Sequence, residues 1–403
     1  MLLWLPLRSL LRSRRRSLLS LAIIGLGTTI ALVVLGFVQE SRALIRETSV
    51  AEFGNLQIAS PQLWEDTAED YGYLVQPSTL DQVSALLASE SRVDAFTVQL
   101  QFPALIASGD RTQIVRVTGF VPGNPALSRA GEIVAGRDLE TSDAAAVLVG
   151  RSLADRLDLA PGSAITLTLT TVDGAYNATP LQVVGIYEFS SEQVELQSLF
   201  IPLRYAQLLL NTTGVDRIVV TLGNIADTEA TRARLQAGLT DAQLGLEALT
   251  WDELSPFYQQ LSNLFDILFG FIALAMAVLV FFIILQILTL AFLERTREIG
   301  TARALGTTRR GVLGLLLAEG AWLAVIGSGL GVALGTALSL AFNAIGIRWA
   351  PPGTVEPVVL SIRVGITTAL APFLLGVVAT ILSSLYPALQ MARLPVVDAL
   401  RVE

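Results

Sequence analysis

Glu294-Arg295-Thr296-Arg297-Glu298-Ile299-Gly300-Thr301-Ala302-Arg303-Ala304-Leu305-Gly306 is a short charged stretch between two long apolar runs. Its apolar residues Ile299, Ala302 and Leu305 recur every three positions, and Arg295, Arg297, Glu298 and Arg303 carry its charge. The spacing predicts a short amphipathic helix at a membrane surface, with Gly306 as its C-terminal stop. An arginine-rich loop of the kind that flanks membrane helices would have a similar composition. The rest of the chain decides between the two.

Hydrophobic residues make up 52% of the 403 residues, and mean hydropathy is +0.60. Leu18–Val38, Ile267–Leu293 and Val364–Met391 carry no charge, and Gly311–Phe342 carries only Glu319. A helix of about 20 apolar residues spans a bilayer, so each run predicts a membrane crossing. Residues 1–17 hold five arginines and no acid, and residues 294–310 hold five arginines against Glu294 and Glu298. Residues 39–263 hold 13 arginines against 28 acids. Positive loops stay in the cytoplasm, which predicts both termini and the 294–310 stretch inside and the long acidic segment outside. The first run is longer than the 7–15 apolar residues of a cleaved signal peptide, and is read as a retained helix. Leu7, Leu10 and Leu11 among the arginines suggest a short interfacial helix before it.

The expected order is a basic interfacial segment at 1–17, a crossing at 18–38, an extracytoplasmic domain with stalk helices at its ends at 39–263, and a crossing at 264–293. The charged helix at 294–310, a crossing at 311–342, an outer loop at 343–363, a crossing at 364–391 and a cytoplasmic tail at 392–403 complete it. The fold class is thus a membrane protein of four transmembrane helices, one plus three, with a large α+β domain between the first and second. In that domain Ile165–Thr170 alternates apolar and polar residues, the pattern of a half-buried strand. Ile114–Gly119, Leu181–Ile186 and Arg217–Leu222 are further strands. Arg151–Leu159, Thr228–Gly238 and Leu80–Ser89, the last with Ser78 as N-cap, are helices. The run Leu261–Leu293 is free of proline and Ser41–Ser49 of both proline and glycine, so both crossings extend beyond the lipid as stalks.

Composition excludes much chemistry. The chain has no histidine and no cysteine, and its 27 basic residues are all arginine. Without lysine there is no Walker A loop. Histidine- or cysteine-based nucleophilic systems and zinc sites are excluded as well. The acidic balance disfavours nucleic acid as a partner. Gly327, Gly331 and Gly335 stand four apart, on one face of the third crossing, where a neighbouring backbone can approach. Glu319 lies roughly two turns into that crossing. It either reaches the interface or pairs with an arginine of the 295–310 loop. Phe53, Trp64, Tyr71 and Tyr73 are aromatics near a stalk, suited to lipid contact or to core packing.

With these features in place the chain resembles the FtsX-like, MacB-type ABC transporter permeases. The stretch Arg295–Gly306 is similar to the family's cytoplasmic coupling helix. Leu317-Ala318-Glu319-Gly320, the spaced glycines, Leu385-Tyr386-Pro387-Ala388 and the ending from Ala392 to Arg401 resemble its C-terminal half. Gly136-Arg137-Asp138-Leu139, Val149–Ala154, Leu159–Gly162, Val184-Gly185-Ile186 and Ile201–Gln207 are similar to its periplasmic core. Gly54–Ile58 and Val117–Gly123 lean toward the LolC/LolE lipoprotein-releasing branch. After Pro387-Ala388 the family often has basic residues, whereas here Leu389-Gln390 follows.

The resemblance implies a non-catalytic subunit with no cofactor of its own, in the inner membrane. It implies a separate ABC ATPase on the coupling helix, touching Arg295, Arg297, Glu298, Ile299, Gly300, Arg303, Ala304, Leu305 and Gly306. A second permease chain, identical or related, membrane lipid, and a lipoprotein or periplasmic adaptor are the other implied partners. The implied function is transmission of ATP-driven motion to an external domain that moves a lipoprotein or other lipophilic cargo. The alternative is a non-transporting, FtsX-like regulator of a cell-wall hydrolase, which shares the coupling helix, so that motif does not separate the two.

Overall fold

The computed structural model describes residues 14–64, 71–124, 131–189, 192–349 and 358–395. The N-terminal segment before residue 14 and the tail from residue 396, including Ala399, Leu400 and Arg401, lie outside the described residues.

In chain order the principal elements are α1 (Arg14–Phe53), β1 (Leu56–Ala59), α2 (Pro77–Ser89), β2 (Val93–Ser108), β3 (Arg111–Phe120), β4 (Gly131–Gly136), β5 (Ala146–Gly150) and α3 (Arg151–Leu157). There follow β6 (Ala164–Thr170), β7 (Tyr176–Phe189), β8 (Ser198–Pro202), α4 (Leu203–Leu210), β9 (Arg217–Leu222), α5 (Thr228–Asp241) and β10 (Glu247–Thr250). The chain closes with α6 (Pro256–Glu294), α7 (Thr296–Ala304), α8 (Arg309–Ile345) and α9 (Ile366–Arg393). It divides into two compact units: residues 44–260 with 349–358, and the remainder.

Among the described residues the first unit is built on a sheet of ten strands. Their pairings close a ring, β2-β3-β8-β5-β7-β6 and back to β2, with β3–β8 and β5–β7 parallel and the rest antiparallel. Alternation fills it: Ile165, Leu167 and Leu169 of β6 point inward beside Leu100, Phe102, Ile106, Val117 and Leu199. The N-terminal half of the 16-residue β2 leaves the ring and pairs with β9, which pairs with β1, which pairs with β10. On that ladder Leu56, Ile58, Ile218 and Val220 bury against Val83 and Leu87 of α2 and Leu235 and Leu239 of α5, a second core. β2 thus serves two cores.

Local chemistry sets the ends. α3 stops at Leu157, two residues earlier than the sequence suggests, because Asp158 takes a left-handed conformation. α5 continues to Asp241. α2 begins at Pro77 with Gln76 in the cap position, so Ser78 is a first-turn residue and not the N-cap expected of it. Proline preset for helix at N1 takes over the start there.

In the second unit α1, α6, α8 and α9 are each long and apolar enough to cross a membrane. α1 has 40 residues and α6 has 39, or about 60 Å each at 1.5 Å per residue, against a hydrocarbon core of about 30 Å. Ile24, Val280, Ile284, Leu288, Phe292, Leu316, Leu323 and Met391 form the unit's core. Pro372 and Pro387 lie inside α9, as membrane helices tolerate.

Candidate functional site: the charged helix between the second and third crossings

Arg295 leaves helical geometry (φ −96°, ψ 7°), and this single residue separates α6 from α7. The Thr296 hydroxyl donates to the Leu293 carbonyl at 2.6 Å, satisfying one of the carbonyls left open at the end of α6. At the other end Gly306 sits at φ +104°, a conformation glycine adopts at no steric cost. Its N–H donates to the Arg303 carbonyl at 3.1 Å, and the Thr307 N–H to that of Ala302 at 3.0 Å. Thr308 then caps α8 by accepting from the Gly311 N–H. α7 is therefore a discrete helix with defined ends.

One face is fastened to the membrane unit. Ile299 packs against the core of the crossings, and Thr296 and Gly300 are buried. The Arg295 Nη1 donates to both carboxylate oxygens of Glu319 at 3.2 Å. Glu319 is the acid of the third crossing, so it pairs with an arginine of the loop. Arg303 Nη1 donates to the Leu394 carbonyl, just past α9. α7 is thus tied to both α8 and the end of α9.

The opposite face is open. Arg297, Glu298, Thr301, Ala304 and Leu305 are exposed, Leu305 by 85%. The sequence suggests one apolar face through Ile299, Ala302 and Leu305, and that reading needs correction. Three residues turn a helix by about 300°, so a period of three drifts by about 60° per step. Ile299 ends up inside and Leu305 outside, one residue past the helix. The contacts expected at Arg295, Ile299, Gly300 and Arg303 fall on the fastened side. A surface of two apolar side chains, a threonine hydroxyl, one basic and one acidic side chain suits a protein contact. Among the described residues no group of acids has metal-binding geometry.

The glycines of α8 meet α1. A Cβ at Gly331 would lie 2.5 Å from the Gly25 carbonyl oxygen, and one at Gly327 would lie 2.9 Å from Ile24. Gly335 faces Leu32 at 3.3 Å. The Thr29 hydroxyl donates to the Gly331 carbonyl at 2.9 Å. The complementary small residues Gly25, Thr28 and Thr29 escape a sequence reading, although all stand in the first apolar run. Of the four aromatics, Tyr71 and Tyr73 pack against the ring core with their rings 6.1 Å apart. Burial, aided by the neighbouring Asp216, pushes the Tyr73 hydroxyl up to about 12. Trp64 lies under the Arg217 guanidinium, 5.9 Å from the ring centre. Phe53 is half-buried.

The model of the MacB-like periplasmic core domain matches residues 17–237, more than half of the chain. That of the FtsX-like permease C-terminal region matches residues 270–396. The chain belongs to the MacB/FtsX-type ABC permeases. Among curated relatives of this permease, the macrolide export ATP-binding/permease protein MacB of Chromobacterium violaceum is 27% identical over 200 residues. That match covers 49% of this chain and 29% of that protein. MacB of Neisseria meningitidis is 24% identical over 363 residues, 84% of this chain and 53% of the relative. The uncharacterized ABC transporter permease YvrN of Bacillus subtilis is 25% identical over 244 residues, 56% of each. The permease therefore spans about half, or less, of the length of these relatives. It is a multi-pass membrane protein, with a sheet-rich periplasmic-type domain between its first two crossings.

Proposed function

We propose that this permease transmits motion from a separate ABC ATPase, docked on the open face of α7, to its extracytoplasmic domain. The observation that carries the proposal is the two-sidedness of α7. Arg295–Glu319, Ile299 and Arg303–Leu394 couple it to the crossings, while Arg297, Glu298, Thr301, Ala304 and Leu305 face outward with no part in that packing. A partner that displaces the outward face drags α8 and α9 with it. In this reading α7 and both termini are cytoplasmic, the acidic segment between the first two crossings is outside, and a second permease chain completes the assembly. The cargo is a lipoprotein or another lipophilic molecule, because the crossings hold almost no charge with which to line an aqueous path.

The deciding experiment is Leu305→Asp. At 85% exposure the substitution leaves packing intact, so the variant accumulates in the membrane with native stability. It is expected to lose both co-purification of the ATPase and ATP-dependent activity. An ATPase retained in native stoichiometry by Leu305→Asp together with Arg297→Glu overturns the docking face. Recovery of a wall hydrolase on the external domain, with no cargo moved, overturns transport while keeping the docking. The chain has no native cysteine, so a single cysteine at position 305 reports the orientation by labelling from the cytoplasmic side.

A further inference from the structure

The arginines around α7 fall into two groups. Arg295 and Arg303 lie on the fastened side and are both engaged, by the Glu319 carboxylate and by the Leu394 carbonyl. Arg297, Arg309, Arg310 and Arg393 are exposed, and none of them forms an ion pair with a described residue. Exposure is continuous from Ala304 to Gly311. The open surface of α7 therefore runs on past Gly306 into the first turn of α8.

Chain length keeps these cations near Leu305. Arg297 lies about 12 Å before it at the helical rise of 1.5 Å per residue, and Arg309 follows within at most about 14 Å of extended chain. The bond from Arg303 to the Leu394 carbonyl brings the exposed Arg393 beside the same helix. Against the four arginines, the exposed acids of this region among the described residues are Glu294 and Glu298. Like charges spaced on the order of one Debye length, about 8–10 Å, add up to a positive field at any surface that faces them.

A protein face bearing carboxylates fits this surface better than a bilayer does. Between Arg297 and Arg310 the exposed apolar side chains are Ala304 and Leu305. That is too little to hold the segment in lipid, where binding grows with buried apolar area. Glu298, on the same outward face, is repelled by an anionic membrane, and a neutral one offers the arginines no net charge. Carboxylates take guanidinium groups in two-pronged pairs.

We infer that the ATPase groove receiving α7 is acidic, with an apolar pocket for Leu305 and carboxylates facing Arg297, Arg309 and Arg310. The inference rests on the docking reading above and extends its surface into α8. Docking itself can stand with the groove uncharged.

The test uses the ATPase subunit that co-purifies with the native permease, isolated from that complex. Its association with the full chain in phosphatidylcholine nanodiscs is followed by surface plasmon resonance. For the native chain the association rate is expected to fall about tenfold or more between about 50 and about 500 mM salt. Arg309→Glu with Arg310→Glu is expected to slow association at the lower salt by about tenfold or more and to flatten the salt dependence. Arg309→Lys with Arg310→Lys should keep both within about threefold, since charge steers the encounter. Glutamate suits the first turn of a helix, so the reversal leaves α8 intact. Arg309→Gln with Arg310→Gln keeps the 294–310 stretch net positive; it is expected to give an intermediate loss, and tests the groove even if the reversal disturbs insertion. Native rates and salt dependence in both the glutamate and the glutamine variants, with binding still lost in Leu305→Asp, overturn the acidic groove and keep the docking. A loss that appears only when phosphatidylglycerol is added to the discs assigns the arginines to lipid and overturns the groove as well. If no ATPase co-purifies, the docking reading falls and this inference with it.

Discussion

The second and third crossings are both long apolar helices that contribute to one core, yet the third is packed by its backbone and the second by a few large side chains. α8 buries Gly327, Gly331 and Gly335 against α1, and Gly320 against Ser384 of α9. α6 turns Phe271, Leu274 and Phe282 outward, each more than half exposed. Hydropathy reports what a helix avoids, which is water. Small residues report what it touches. In lipid, where apolar side chains have no solvent to escape, close backbone approach and hydrogen bonds such as Thr29 to Gly331 distinguish a partner from the surroundings.

Gly331→Leu should break this contrast most severely. With the Gly25 carbonyl 2.5 Å from the first added carbon, α1 and α8 cannot keep their approach, and a loss of about 3 kcal/mol is expected. Thermal unfolding in detergent measures it; an unchanged midpoint would show that the two helices do not pack there. Glu319→Ala comes next. It removes the carboxylate that accepts from Arg295, whose side chain is only 24% exposed, for a loss of about 2 kcal/mol after allowing for residual solvent. α7 should become protease-sensitive at the same time.

A smaller effect is expected at the surface pair of the sheet-rich unit. Two hydrogen bonds from Arg137, at 2.7 and 2.8 Å, hold the Asp143 carboxyl below the usual carboxylate range. A depressed carboxylate stabilises the fold above its unfolded value near pH 4 and ceases to do so as pH falls through its folded value. Asp143→Asn should therefore lower the melting temperature slightly at pH 7, and by progressively less as pH falls below about 4. The smallest effect belongs to Phe271→Leu on the open face of α6, within about 0.5 kcal/mol. A large loss there would mean that this face is covered by a partner.

The four crossings were legible because a run of uncharged residues has few other uses. β6 was legible because Ile165, Leu167 and Leu169 alternate with threonines, and β9 because Arg217–Leu222 is a compact β-branched run. The ring was not legible. Its closure depends on β6 pairing with both β2 and β7, and no local pattern in β6 names its neighbours. The shared role of β2 is hidden for the same reason: sixteen residues of one strand look alike whether they serve one core or two. At the candidate site the charged helix and its stop at Gly306 could be read directly. The division of labour between Ile299 and Leu305 could not, because it rests on where a helix of nine residues begins to turn. The glycine triplet was visible, but Gly25, its counterpart three hundred residues away, carries no mark of the pairing.

The pairing of β1 sets a schedule for making the molecule. Leu56 lies opposite Val220 and Thr250, so the first strand to leave the ribosome waits for nearly the last of its sheet. At about 5–20 residues per second, the 164 residues from Leu56 to Val220 take roughly 8–33 s to synthesise. Throughout that interval Leu56 and Ile58, fully buried in the finished protein, have no partner on either edge. The ring is less constrained, since β2 and β3 are joined by a two-residue turn and pair as soon as both exist. Assembly accordingly proceeds from the middle of the domain outward, and the ladder that adjoins α1 and α6 closes last, leaving newborn chains exposed to edge-to-edge aggregation at β1 until residue 250 arrives.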